Sequence, residues 1–332
     1  MHFALPPRKT SQPPPYLRPA ARLPGFRRTR AKLVAIAGLV LLSLVYLIAR
    51  AQTHSGSSSS SGRSHGAAPV PARTRNPSRG DRGDPPVVIV TVLDETKYTK
   101  EYLQAVRENR VQYAEKHGYK TLLATPSDYD LAEAPASWAL VPAVRDALTR
   151  FPRCAYVWYL DAAGFVMNPR LKLEEDILRP AQLDKLMRRD VPVAGTDGAV
   201  KTLASLKAED AELVLTQDGG EGLAAGSFVL RNGEWAKFFL ETWFGPLYRS
   251  YKFKKAEAHA LEHMLRWHST ILSRVAIVDQ HVLNAYNKGA GGQEYKDGDL
   301  VVRFPSCSGK ACETETRAFV QAWRRAFDAA QG

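Results

Sequence analysis

The chain has 332 residues, 46 Lys and Arg against 34 Asp and Glu, and an apolar fraction of 45%. That is enough for one sizeable globular domain with appended segments, and it excludes a chain disordered throughout. The formal charge of +12 is confined to one end: residues 1–86 hold fourteen Lys and Arg and two acids, whereas residues 87–332 hold 32 of each sign. With no net field, the globular part has no electrostatic case for binding nucleic acid or another polyanion in bulk.

Residues 1–32 form a basic tail with eight bases and no acid. Leu33 to Ala49 then reads LVAIAGLVLLSLVYLIA, seventeen uncharged residues between Lys32 and Arg50. As a helix this run is about 26 Å long, near the short end of what spans a bilayer and suited to the thinner membranes of the early secretory pathway. The bases ahead of it predict a cytosolic N-terminus and a single-pass type II signal anchor over 33–49. A cleaved signal peptide would need an n-region of 32 residues, and a buried core helix would find nothing to pack against between low-complexity flanks.

Residues 50–86 lack bulky apolar side chains and read as a flexible, disordered stem. The doubled Arg79-Gly80-Asp81 and Arg82-Gly83-Asp84 within it is linker composition rather than an integrin ligand. Asn76-Pro77-Ser78 has Pro in its middle position, and no other Asn has Ser or Thr two places on, so the chain has no N-glycosylation acceptor.

At Val87 a domain over residues 87–332 begins. VVIVTV reads as a buried strand, and Tyr98–His117 as a helix with Tyr102, Ala105, Val106 and Tyr113 at helical spacing, ended by Gly118. Tyr119–Ala124 is a second strand, Ala139–Arg150 a second helix, and Ala155–Leu160 a continuous apolar strand that stops at Asp161. This order predicts an α/β fold with a mainly parallel sheet flanked by helices, in which ligands sit at the carboxyl ends of strands. Asp161 is at such an end. Farther on, the Gly-rich run Gly219–Ser227 matches neither a P-loop nor the dinucleotide fingerprint. It reads as a loop that allows close backbone approach, followed by a short strand over Phe228–Arg231. Trp235, Phe238, Phe239 and Trp243 fall on the core face of the next helix.

Trp158–Pro169 (WYLDAAGFVMNP), Ala225–Phe228 (AGSF), Trp243–Tyr251 (WFGPLYRSY), Ala256-Glu257, His259–His263 (HALEH) and Tyr295–Asp299 (YKDGD) resemble, in the same order, the fungal galactosyl- and mannosyltransferases of glycosyltransferase family 34. That family includes the Golgi α-1,6-mannosyltransferase subunits of the mannan polymerase. The resemblance covers residues 87–315. It implies a Rossmann-like GT-A fold and transfer of a hexose, with retention of configuration, from GDP-mannose or UDP-galactose to a glycan or glycoprotein acceptor. It also implies a Golgi membrane location and partner mannosyltransferase subunits. Nucleic acid is not among the partners.

In such enzymes an Asp-x-Asp motif and a later His hold Mn²⁺ against the diphosphate leaving group. Here Asp161 matches the first acid, the second is Ala163, and Arg303 stands at the His position. Ala224 replaces an Asn and Leu140 a Lys, so four polar positions near the donor have changed. By the resemblance, Asp161 orients the ribose or holds a weakened metal, Gln217, Asp218, Gly226 and Ser227 lie in the sugar-binding loops, and Asp218 shares the catalytic position with Glu257, which faces the anomeric carbon. Arg303 meets the diphosphate, since a guanidinium repels a dication and offers a fork of donors to a phosphate. Two outcomes stay open: a hexosyltransferase in which Arg303 stands in for the metal, and a degenerate structural subunit of a transferase complex.

The pattern His259-x-x-Glu262-His263 also fits a zinc peptidase, which would need a third distant ligand. Glu257 has a bland alternative, an exposed pairing with Lys254 three residues back. Cys307 and Cys312 are close enough to form a disulfide in an oxidising lumen, and Cys154 reads as a core thiol.

Overall fold

The computed structural model describes residues 84–218, 222–288 and 293–330. The basic tail, the span over 33–49 and the stem up to residue 83 lie outside the described residues, among which no helix is long and apolar enough to cross a membrane.

β1 (Val87–Val92) alternates between two cores, sending Val87 and Ile89 to one face and Val88 and Val90 to the other. α1 (Lys100–His117) begins two residues later than its apolar spacing suggests. The Thr99 hydroxyl accepts from the Tyr102 amide and caps the helix, which ends at Gly118 with φ 70°. β2 (Lys120–Ala124) follows, then a 3₁₀ turn over Ala136–Ala139, α2 (Leu140–Arg150), β3 (Tyr156–Leu160) and the short β4 (Gly164–Val166). After α3 (Pro180–Leu186) come β5 (Leu213–Gln217) and β6 (Leu223–Arg231). Three helices are next, α4 (Glu234–Trp243), α5 (Pro246–Ser250) and α6 (Ala256–Trp267), with a short α7 (Ser269–Leu272) leading into β7 (Val275–Val278). The chain closes with α8 (Gln280–Leu283), β8 (Ala285–Tyr286), β9 (Val301–Arg303) and α9 (Lys310–Asp328).

The main sheet has the order β2-β1-β3-β6-β5-β7. β1 is parallel to β2 and β3, and β5 is parallel to β7, but β6 runs antiparallel to both its neighbours. The sheet is therefore mixed, with a parallel first half as expected. The short β5–β6 connection is what reverses β6, because a parallel crossover needs a dozen residues or more. β6 also starts at Leu223, inside the segment read as a loop, so Gly226 and Ser227 are strand residues. A second, three-stranded sheet sets β9 between β4 and β8.

On one face of the main sheet, Tyr113, Trp158 and Phe165 pack with Trp323 and Phe327 of α9. On the other, α2, α4 and α6 cover Val157, Tyr159 and Phe228. Phe239 and Trp243 of α4 are fully buried there, but Phe238 is 53% exposed. The expected four-residue aromatic face is thus narrower, because position 238 points away from α2 and α6.

Candidate functional site

The strand directions bring the ends of β1, β3 and β5 to one side of the sheet, and antiparallel β6 starts there. Asp161 follows β3, Asp218 follows β5, and Lys97 and Tyr98 lie beyond β1. The β4–β9–β8 sheet folds over this edge. Its register pairs Arg303 with Gly164 and with Tyr286.

Arg303 and Asp161, 142 residues apart, form a bidentate ion pair. Arg303 Nε donates to both carboxylate oxygens at 3.2 and 3.1 Å, and Nη2 donates to Oδ2. Their side chains are only 15% and 22% exposed. Burial alone would lower the Arg303 pKa, but the charge and hydrogen bonds of Asp161 outweigh it and raise the guanidinium above its usual range. Gly226 makes the contact possible: a Cβ there would stand 2.2 Å from Arg303 Cζ. The close approach expected of the Gly-rich run is thus made by the chain's own guanidinium.

Glu257 opens α6, half-buried, with its Oε2 accepting from Ser137 Oγ at 2.5 Å. The Ser137 bond takes the place of the alternative Lys254 pairing. Burial pushes the Glu257 pKa up; the Ser137 bond opposes this, Asp161 adds to it, and Lys97 opposes it as a nearby cation. Lys97 Nζ sits 5.0 Å from the Tyr98 ring centroid. Asp218 accepts from the Tyr286 hydroxyl through Oδ1. The register of β5 against β6 shifts between Leu215 and Gln217, and such a bulge re-aims the side chains at a strand end.

Two expected contacts are not made. Ser227 is fully buried, and its hydroxyl accepts from Trp158 Nε1 at 3.1 Å. Strand alternation turns Ser227 into the core on the side opposite Gly226, so it does not face the cleft. Gln217 is spent on the neighbouring loop, accepting from the Ala194 amide at 3.1 Å and donating to the Pro192 carbonyl at 3.3 Å. It walls a cavity of about 530 Å³ shared with Arg188 and the loop around Gly195.

The residues present do not fit manganese. Both Asp161 oxygens are taken by Arg303, and Ala163 offers only its amide, which donates to Asp161 Oδ1 at 3.1 Å. Among the described residues no cluster of three His, Cys, Asp or Glu could hold a metal ion. Ala224 and Leu140 are buried, Leu140 within the apolar core on the face covered by α2, α4 and α6. The His259–His263 pattern does not build a zinc site either, for Glu262 turns inward to accept from the Leu223 amide at 3.0 Å and to meet His259 Nε2 at 3.5 Å. Cys307 and Cys312 form a disulfide, and Cys154 is a buried free thiol.

Sequence reasoning missed Tyr286, Lys97 and above all Arg110. The last is fully buried on α1, directly beneath the Asp161–Gly164 turn. Its signal was present in the helical spacing, since Asn109 and Arg110 fall on the same stripe as Tyr102, Val106 and Tyr113.

Residues 83–313 match the galactosyl transferase GMA12/MNN10 family. An uncharacterized alpha-1,2-galactosyltransferase of Schizosaccharomyces pombe is 32% identical over 214 residues, 64% of this chain and 65% of that protein. The protein named probable alpha-1,6-mannosyltransferase MNN11 of Saccharomyces cerevisiae is 28% identical over 258 residues, covering 70% of this chain and 60% of its own length. The chain thus spans somewhat less than two thirds of these relatives. Among solved structures, a glycosyltransferase involved in glycosylation of the major capsid of PBCV-1 aligns with a TM-score of 0.47 and 14% identity, over 71% of this chain and 99% of that one. With the family match running from the start of β1 through the first turn of α9, and so through every residue of the Asp161–Arg303 site, the chain belongs to the galactosyl transferase GMA12/MNN10 family.

Proposed function

We propose that this chain is a GT-A hexosyltransferase that moves a mannosyl or galactosyl unit from a nucleotide sugar to a glycan acceptor, with retention, and that it does so without a metal. The observation that carries this reading is the Arg303 guanidinium, buried against Asp161 and Gly226 at the strand ends, where a fixed positive charge supports binding of a diphosphate. Transfer breaks the bond between the anomeric carbon and the diphosphate oxygen, which keeps the electron pair. The acceptor hydroxyl forms the new bond and passes its proton to the departing diphosphate oxygen. Arg303, with Lys97 as a second cation, stabilises the charge that grows on the departing diphosphate. Glu257 offers a carboxylate to the positive charge developing at the anomeric carbon. Asp218, held through one oxygen by Tyr286, keeps the other for a sugar hydroxyl. The chain works as a single-pass type II protein of the Golgi membrane, alongside other mannosyltransferase subunits.

The test is nucleotide-sugar turnover by the full chain, alone and with its co-purifying partners, in the presence of a chelator. Activity survives chelation, the product keeps the donor anomer, and Arg303→Ala costs roughly 2–4 kcal/mol of transition-state stabilisation, the scale of one preorganised donor. One observation favours a second reading, a non-catalytic subunit: Ala163, Ala224 and Leu140 stand, buried and apolar, where the resemblance expects polar groups. In that case Arg303→Ala leaves the activity of the assembled complex unchanged. Strictly metal-dependent transfer by this chain alone contradicts both.

A further inference from the structure

We infer that Arg110 is a positioning residue of the donor site, a second guanidinium that fixes the Asp161–Gly164 turn from below so that the Asp161 carboxylate meets Arg303. The inference rests on the reading of the strand-end cleft as a nucleotide-sugar site.

Arg110 is fully buried, and every polar contact of its guanidinium is to a neutral acceptor. Nη2 donates to the carbonyls of Asp161 at 2.9 Å and Gly164 at 2.7 Å, so one nitrogen bridges the two ends of the turn. Nε donates to Thr91 Oγ1 at 3.1 Å, and Nη1 donates to Asn109 Oδ1 at 2.6 Å. These acceptors are themselves fixed. Thr91 Oγ1 donates to the Leu160 carbonyl at 2.7 Å, and Asn109 exchanges two 2.8 Å bonds with the backbone of Val166. The network thus grips the chain at residues 160, 161, 164 and 166, the whole passage from β3 into β4.

Burying a guanidinium away from any directly bonded carboxylate is expensive. A Leu or Met at this position of α1 would give the same core without that cost. What the charge supplies is visible in the site. The pKa of Arg110 falls to about 10 through burial, with Asp161 opposing the fall, so the group stays protonated at neutral pH. Asp161 therefore lies between two guanidiniums, Arg303 bonded to its carboxylate and Arg110 to its carbonyl. Together they leave positive charge at a strand end that has no ligand set for a dication. A turn held on both sides also explains how a short loop carrying two alanines keeps one carboxylate aimed at Arg303.

The test uses the full chain with ¹⁵N-labelled arginine, following hydrogen exchange at Arg303 Nε, assigned with Arg303→Lys, and the affinities for UDP and GDP. Arg110→Met, which keeps the volume and removes the fork, is expected to accelerate Arg303 exchange about tenfold or more, the equivalent of one charge-assisted hydrogen bond. It should weaken diphosphate binding by a similar factor. Arg110→Lys restores the charge without the bridge, so affinity recovers in part while exchange stays fast. Thr91→Val removes one acceptor of Arg110 and the Leu160 bond of the same hydroxyl, keeps the fold, and gives the same change on a smaller scale. Wild-type Arg303 exchange in a folded Arg110→Met protein overturns the inference. If that variant does not fold, unchanged exchange in Thr91→Val does the same. A wild-type chain that binds neither nucleotide, yet whose Arg303 exchange responds to position 110, defeats the donor reading alone.

Discussion

At the scale of single residues the site is built from compensations. Arg303 and Asp161 meet in one ion pair at the strand ends, and that pair depends on the absence of a side chain at 226. Gly226 has ordinary strand backbone, so Gly226→Ala adds no conformational strain. It places a Cβ 2.2 Å from the guanidinium carbon, where Arg303 must withdraw. The expected result is a loss of about 3 kcal/mol in urea unfolding, the lower range for breaking a largely buried ion pair, together with loss of nucleotide binding. Glu257 makes a separate prediction. Its pKa is higher in the folded state than the ordinary 4.5 of the free carboxyl, so folding favours the protonated form, and the penalty for the charged form grows as pH rises from 4.5 through the folded pKa. Glu257→Gln should remove that penalty. Denaturation at a series of pH values should find the variant more stable than wild type at neutral pH, with the advantage vanishing below 4.5, while its turnover is lost. A constant difference across the range would show that burial of the charge is not the cause.

Elements carried most of what could be read without coordinates, and their failures have physical causes. The runs at Val87–Val92 and Tyr156–Leu160 are apolar at every position or nearly so, because both faces of the sheet are covered. β6 was half missed because Gly226 and the two alanines before it carry no β-branched signal, though Leu223 pairs with Gln217 all the same. Asp161, Glu257, Asp218 and Arg303 were legible as candidates, but the Asp161–Arg303 bond was not, since it spans 142 residues and depends on how β9 registers with β4. Ser227 was misassigned because spacing within a glycine run does not reveal strand parity. α9 shows how a late element supports the site: Trp323 is fully buried, 6.1 Å in ring-centroid separation from Phe165 of β4, and Phe319 stacks edge-on to Phe304 beside Arg303. Trp323→Ala should cost about 3–5 kcal/mol, as for other large aromatic truncations in a core. Because β4 frames the turn after Asp161, calorimetry should show the lower Tm and binding assays a weaker nucleotide affinity in the same variant. A Tm drop with unchanged affinity would separate α9 from the site.

Over the whole molecule, charge and chemistry divide at one boundary. The excess of bases belongs entirely to residues 1–86, ahead of a neutral domain, and its densest part precedes the apolar run at Leu33, where Lys and Arg set orientation most strongly. The domain beyond carries a disulfide between Cys307 and Cys312 at the start of α9, a bond that persists in the lumen of the secretory pathway and is rare in the cytosol. It also carries the strand-end cleft proposed above as a nucleotide-sugar site. On the topology proposed above, residues 84–330 are luminal and the basic tail is cytosolic. Intact microsomes containing the full chain should therefore yield, on protease treatment, a protected fragment that includes the whole domain and a tail epitope that is lost. Detergent should abolish the protection, and unreduced peptides from the protected fragment should contain Cys307 joined to Cys312. Digestion of the domain without detergent would place the site on the other side of the membrane, where neither the disulfide nor a Golgi acceptor is available to it, and both thiols free in the protected fragment would remove the disulfide from the argument.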